Sequence, residues 1–98
     1  MKALDRYVLR LYVTGMTPRS LRAIESVRAV CKEHLADQHD LEIVDVYQQP
    51  ERISEDQIVA IPTLVKYEPA PRRWIVGDMS DRRRLLAGLG LHVASVTP

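Results

Sequence analysis

Ile61-Pro62-Thr63-Leu64 is where this chain changes from helical to extended patterning, and the elements on either side follow from it. A residue before proline is disfavoured in the helical region, so the spacing predicts that a short helix stops before Pro62. A strand then starts at Thr63-Leu64-Val65-Lys66-Tyr67. Pro69-Ala70-Pro71 separates that strand from Arg73-Trp74-Ile75-Val76, which reads as the second arm of an antiparallel hairpin. Upstream, Ser54-Glu55-Asp56-Gln57 has the form of a capping box between Ile53 and Ile58, placed as a hydrophobic staple at a helix start. Leu41-Glu42-Ile43-Val44-Asp45-Val46 reads as a strand ended by Pro50. Earlier still, Thr17 is a good N-cap and Pro18 suits the first helical position. The helix they open should run to about Asp37, with Leu21, Ile24, Val27 or Arg28, Cys31 and Leu35 forming its apolar stripe. Tyr7-Val8-Leu9-Arg10-Leu11-Tyr12-Val13 is apolar at nearly every position, as in a central strand covered on both faces. Its helical connection to the strand at Leu41 predicts a parallel, right-handed crossover. After the hairpin, Gly77-Asp78 turns the chain. Ser80 is placed to cap a last helix from Asp81 to about Leu89, ended by Gly88 or Gly90. The order is βαβαββα, an α/β domain occupying residues 1–98.

Ninety-eight residues suit a single modest core. A composition 46% hydrophobic and 28% charged, with a net charge of +1, gives no general attraction to nucleic acid or anionic lipid. Recognition by charge therefore has to come from a local patch. The Arg72-Arg73 and Arg82 to Arg84 clusters lack a basic domain or an aromatic platform around them, so no nucleic-acid partner is expected. No apolar stretch approaches the roughly 20 residues that a membrane span needs, and the amino-terminal residues lack a signal-peptide core. The expected location is the cytoplasm. A lone Cys31 rules out an internal disulfide and, on an apolar stripe with no charged neighbour, reads as an inert thiol. His34, His39 and His92 have no metal-ligand spacing. No cofactor, metal or catalytic residue is expected.

The last third is locally inconsistent. Arg82, Arg83 and Arg84 fall in the first turn of the expected helix, against its macrodipole. Gly88 and Gly90 weaken a helix, while Leu91-His92-Val93-Ala94-Ser95-Val96 alternates like a strand. Such competition is expected where two packings lie close in energy.

The order of elements, with Ile61-Pro62-Thr63-Leu64 leading into the third strand, resembles the thioredoxin-like fold, in which Pro62 would be cis. Between the first strand and first helix, however, stands Gly15-Met16-Thr17-Pro18-Arg19-Ser20, with no cysteine pair. The pattern predicts a scaffold for binding rather than reduction. Several further residues, in order and spacing, carry a closer resemblance. They are the first strand, Gly15, Thr17-Pro18, Ser20, Val44-Asp45-Val46, Pro50, Glu55-Asp56, Pro62-Thr63-Leu64, Gly77-Asp78, Ser80 and Leu86-Ala87-Gly88-Leu89. From about Tyr7 to Leu91 the chain resembles the KaiB family of circadian clock proteins.

That resemblance implies a metamorphic, non-enzymatic regulator. Members have a ground state, usually tetrameric, with a refolded C-terminal half, and a rare thioredoxin-like monomer that binds a KaiC-like ATPase hexamer. KaiA or a histidine kinase would be affected indirectly, and self-association would give a dimer or tetramer. Arg22, Lys66 and Arg73 match basic positions of the ring-docking surface, with Trp74 as an interface anchor. Pro62, Pro71, Asp78 and Gly88 are the expected fold-switch positions. Slow X-Pro isomerisation at Pro62, Pro69 and Pro71 is one expected source of a barrier. Trp74, Glu68 and Ala70 depart from the family pattern, as does the lack of an acidic tail after Thr97-Pro98. Two alternatives share the scaffold: the sensory module of a clock-associated histidine kinase, and a single-thiol oxidoreductase acting through Cys31. Met16 and Arg19 stand where the reactive cysteines of such an enzyme would be.

Overall fold

A computed structural model describes residues 6–91 of the chain. In chain order the elements are β1 (Tyr7–Val13), α1 (Pro18–His34), β2 (His39–Asp45), a 3-10 helix (Pro50–Glu55), β3 (Thr63–Glu68), β4 (Arg73–Val76) and α2 (Arg82–Gly88). The four strands form one sheet in the order β2-β1-β3-β4. β1 pairs parallel with β2 and antiparallel with β3, and β4 closes the hairpin antiparallel to β3. The expected central position of β1 and the parallel crossover through α1 are both present.

Side chains alternate across a strand, so β1 feeds two cores. Leu9, Leu11 and Val13 point to the face covered by α1 and α2, joining Val27, Leu64, Ile75, Leu85 and Leu89. Tyr12 points to the second face, where Val44, Val46, Ile58 and Val65 meet it. No α-helix covers that second face. The connection between β2 and β3 does.

α1 begins as the sequence predicts. Thr17 Oγ1 accepts from the Ser20 backbone N–H at 3.2 Å, and Pro18 opens the first turn. The buried stripe, however, is Ser20, Ala23, Val27, Val30 and Cys31, and Leu21 is 41% exposed. Ser20 causes the rotation: its hydroxyl donates to the Thr14 carbonyl and accepts the Thr14 backbone N–H, which turns this small polar residue inward. The helix also ends at His34, earlier than expected: Leu35 still gives its N–H to the Cys31 carbonyl, but its φ of −125° departs from the helical region.

Two further expectations are corrected. No α-helix starts at Ser54: the 3-10 helix ends at Glu55, and Gln57 adopts a φ of 55°, which stops helical continuation. Ile53 and Ile58 still meet, with the Ile58 N–H on the Ile53 carbonyl at 3.1 Å, but they close a wide turn. The reason is tertiary, since Asp56 is held by side chains from three strands, as described below. The cap of α2 is Asp81 rather than Ser80, its carboxylate accepting the Arg84 N–H at 3.2 Å. Two of the three unfavourable arginines of that turn find partners. Arg82 pairs with Glu33, and Arg84 donates to the carbonyls of Asp78 and Val76. Residues 92–96, including His92 and most of the alternating stretch, lie outside the described residues.

Candidate partner-docking surface

The peptide bonds before Pro62, Pro69 and Pro71 are cis, in keeping with the expectation for Pro62. Pro62 leads into β3, and its carbonyl accepts the Gly77 N–H at 3.0 Å, joining the two ends of the hairpin. Pro71 is exposed in the hairpin turn. Asp78 follows β4. Its carboxyl is held below the ordinary range, first by the Ser80 backbone N–H and also by the nearby charges of Arg19 and Arg22. Gly88 packs against β4: a Cβ there would come within 2.6 Å of both Cγ1 and Cδ1 of Ile75.

The four residues expected to meet a partner fall in three settings. Lys66 and Arg73 are cross-strand neighbours on the helix-bearing face of the hairpin. Arg73 is exposed, whereas Lys66 is only 3% exposed, with its Nζ donating to the Pro69 carbonyl at 2.7 Å. Burial, and then the Arg73 charge, push the Lys66 amine below its usual value. Trp74 lies opposite Val65, on the other face, 44% exposed. Its indole N–H donates to the Asp56 carbonyl at 3.0 Å. Beside it a recess of about 280 Å³ is lined by Gln57, Ile58, Val59, Thr63, Trp74 and Val76. Arg22 is exposed on α1, near Asp78. Among the described residues, no carboxylate lies within ion-pair distance of Arg22, Lys66 or Arg73, so the exposed charges of Arg22 and Arg73 stay available, while that of Lys66 is withdrawn from solvent.

A second cluster escaped the sequence reading. Arg10 projects from β1 onto the second face, donating to Glu42 at 2.9 Å, Glu55 at 3.0 Å and Asp56 at 3.1 Å. Asp56, 4% exposed, also receives the Tyr12 hydroxyl at 2.6 Å and that of Tyr67. Arg10 and Arg72 stack on the Tyr67 ring, 5.3 Å and 4.9 Å from its centre. One signal pointed to this cluster: Arg10 is the only charged residue in the seven of β1.

The position of a redox centre is chemically empty. Gly15, with a φ of 60°, gives its N–H to the Asp45 carboxylate at 2.9 Å, and Met16 is 78% exposed. Cys31 is 1% exposed in the helix-side core, its thiol pushed up to about 11 by burial. A thiol so protonated is a poor nucleophile. Among the described residues no group of three or more His, Cys, Asp or Glu is placed to hold a metal ion, and no helix is long and apolar enough to cross a membrane.

The molecule is thus a thioredoxin-like domain without a redox-active cysteine pair. Solved structures agree on the fold. The N-terminal domain of SasA from Synechococcus elongatus matches with a TM-score of 0.70 at 24% identity, over 92% of this chain and 89% of its own. The Drosophila thioredoxin Deadhead matches with a TM-score of 0.69 at 14% identity, over 88% and 80%. The KaiB domain model matches residues 10–91. Circadian clock protein KaiB3 of Synechocystis is 46% identical over 90% of this chain and 86% of its own length. The clock oscillator protein KaiB of Prochlorococcus marinus is 44% identical over 99% and 92%. The chain belongs to the KaiB family, whose named relatives here are circadian clock proteins.

Proposed function

We propose that this chain is a non-enzymatic regulator that binds a KaiC-like ATPase hexamer, in circadian timing or in stress adaptation. Family membership across residues 10–91 carries the proposal. The hairpin supplies the docking region: Arg73 is exposed and free of carboxylates on one face, with Lys66 beneath it held by the Pro69 carbonyl, and Trp74 offers a half-exposed aromatic anchor on the other. Arg22 extends the positive character along α1. The protein acts in the cytoplasm as one domain and self-associates to a dimer or tetramer in a second arrangement of its C-terminal half. Pro62, Pro71, Asp78 and Gly88 govern the exchange between the two. KaiA or a histidine kinase is affected through competition for the ring. If the ring-binding form is a minor one, apparent affinity falls by its population, and binding draws the equilibrium over.

Mixing the protein with a KaiC-like hexamer and ATP should give a slowly forming complex on size-exclusion chromatography. Arg73→Glu should weaken it by about tenfold or more, as loss of an interfacial charge contact does. No complex with any such ring, or an Arg73→Glu protein that binds unchanged, would remove the basis for the assignment.

A further inference from the structure

The connection that covers the second face is held in an unusual way. Its 3-10 helix buries none of its own residues. Apolar attachment comes from half-buried Ile53 and Ile61 and from Ile58. Three polar contacts bypass Asp56, from Arg10 to Glu55, from Arg52 to Glu42 and from the Tyr12 hydroxyl to the Arg52 carbonyl, but four others converge on it. The Asp56 carboxylate takes Arg10 and Tyr12 from β1 and Tyr67 from β3, and its backbone carbonyl takes the Trp74 indole from β4. None of the helix-side core depends on that residue, because α1, α2 and the inward residues of β1 pack on the opposite side of the sheet.

We propose that Asp56 is an acid-sensitive latch: its carboxylate fastens the 50–58 connection and the hairpin across the second face of the sheet. Losing the charge frees that connection while the helix-side core stays folded. Opening would expose Tyr12, Val44 and Val65, three apolar side chains that the closed connection keeps from water. The inference stands apart from the partner assignment, since it concerns the folded arrangement itself.

The charged and titratable groups facing Asp56 set the direction. Positive charge comes from Arg10 and from Arg72 in the hairpin turn. Negative charge comes from Glu55 beside it and Glu42 on β2, which Arg10 and Arg52 neutralise. Burial opposes ionisation of Asp56, yet the hydroxyls of Tyr12 and Tyr67 and the arginine charges outweigh it. The carboxyl therefore ionises below its usual range. The latch is closed at neutral pH and opens only when pH falls through that lowered value. At the alkaline end, burial and the Asp56 charge raise both tyrosines, which keeps their donating protons in place.

Trp74 is the single tryptophan and bonds directly to Asp56, so it reports the latch. Acidification of the wild type should shift Trp74 emission and speed amide exchange in residues 50–61 by about tenfold or more, before amides of β1 and α1 lose protection. Asp56→Asn should show the open emission and exchange at pH 7 and no separate acid step. Tyr67→Phe, which removes one donor and leaves the charge, should move the acid step of Trp74 upward towards the ordinary carboxylate value. The latch is overturned if Asp56→Asn keeps wild-type emission and protection at pH 7, or if residues 50–61 and 7–34 lose protection at one midpoint. Should Asp56→Asn fail to fold, an unmoved midpoint in Tyr67→Phe overturns it equally.

Discussion

The contact between Gly88 and Ile75 offers a quantitative test of how α2 sits on the sheet. An added Cβ at residue 88 would approach Ile75 Cγ1 and Cδ1 at 2.6 Å, about 1 Å inside an ordinary carbon contact. Ile75 is only 6% exposed and has little room to move. Overpacking of this kind costs about 1–3 kcal/mol. Replacing glycine by alanine in a helix returns at most about 1 kcal/mol. Gly88→Ala alone should therefore cost about 0–3 kcal/mol. Ile75→Ala alone deletes buried carbons and should cost about 2–5 kcal/mol. In the Ile75→Ala background the clash is gone, so adding Gly88→Ala should stabilise by up to about 1 kcal/mol. The two changes should couple by about 1–3 kcal/mol, measured as a double-mutant cycle from urea unfolding followed by circular dichroism. A coupling below about 0.5 kcal/mol is what distant sites give. It would refute the packing of α2 on β4 and mean that the protein rests in another arrangement.

Acid should destabilise the fold in a defined window. Asp56 and Glu42 both ionise below their ordinary values, so the stability they contribute is complete above about pH 5 and is lost as pH falls through the lowered values; a denaturant midpoint still flat at pH 2 would contradict this. Cys31, with its thiol near 11, should resist Ellman's reagent at pH 8 until the chain is unfolded. Because that value is raised, any stability linked to it is whole below about pH 8.5 and fades only as pH climbs through 11. Labelling at the speed of a free thiol in the native state would disprove its burial. Thr17→Ala should cost about 1 kcal/mol in urea titration, since the Ser20 N–H loses its cap; an unchanged midpoint would mean that the cap is dispensable.

Much of the fold was legible because local chemistry and tertiary packing agree. β1 declared itself by continuous apolar residues, α1 by Thr17-Pro18, and the hairpin by prolines between two strand-like runs. Where they disagree, packing decided. Ser54 to Gln57 has the local form of a helix start, yet four bonds from β1, β3 and β4 hold Asp56 in a turn instead. Leu21 had the right spacing for the core, but the small hydroxyl of Ser20 bonded better to Thr14 and took the inward position.

The candidate surface shows the same division. Residue types marked Arg73 and Trp74 as groups suited to a partner, and the missing cysteine pair was plain in the sequence. Only the folded chain separates Trp74 from Arg73 by a sheet face and withdraws Lys66 from water. Alternation along a strand sets which side a residue takes only once its pairing is fixed. Linear order thus determined the strands, the first helix and the hairpin, the family and the absence of redox thiols, because these depend on neighbours along the chain. The Asp56 convergence, the Gly88 contact and the covering of the second face were decided in three dimensions. They join residues up to 46 positions apart, such as Arg10 and Asp56, and no local pattern encodes a partner so distant.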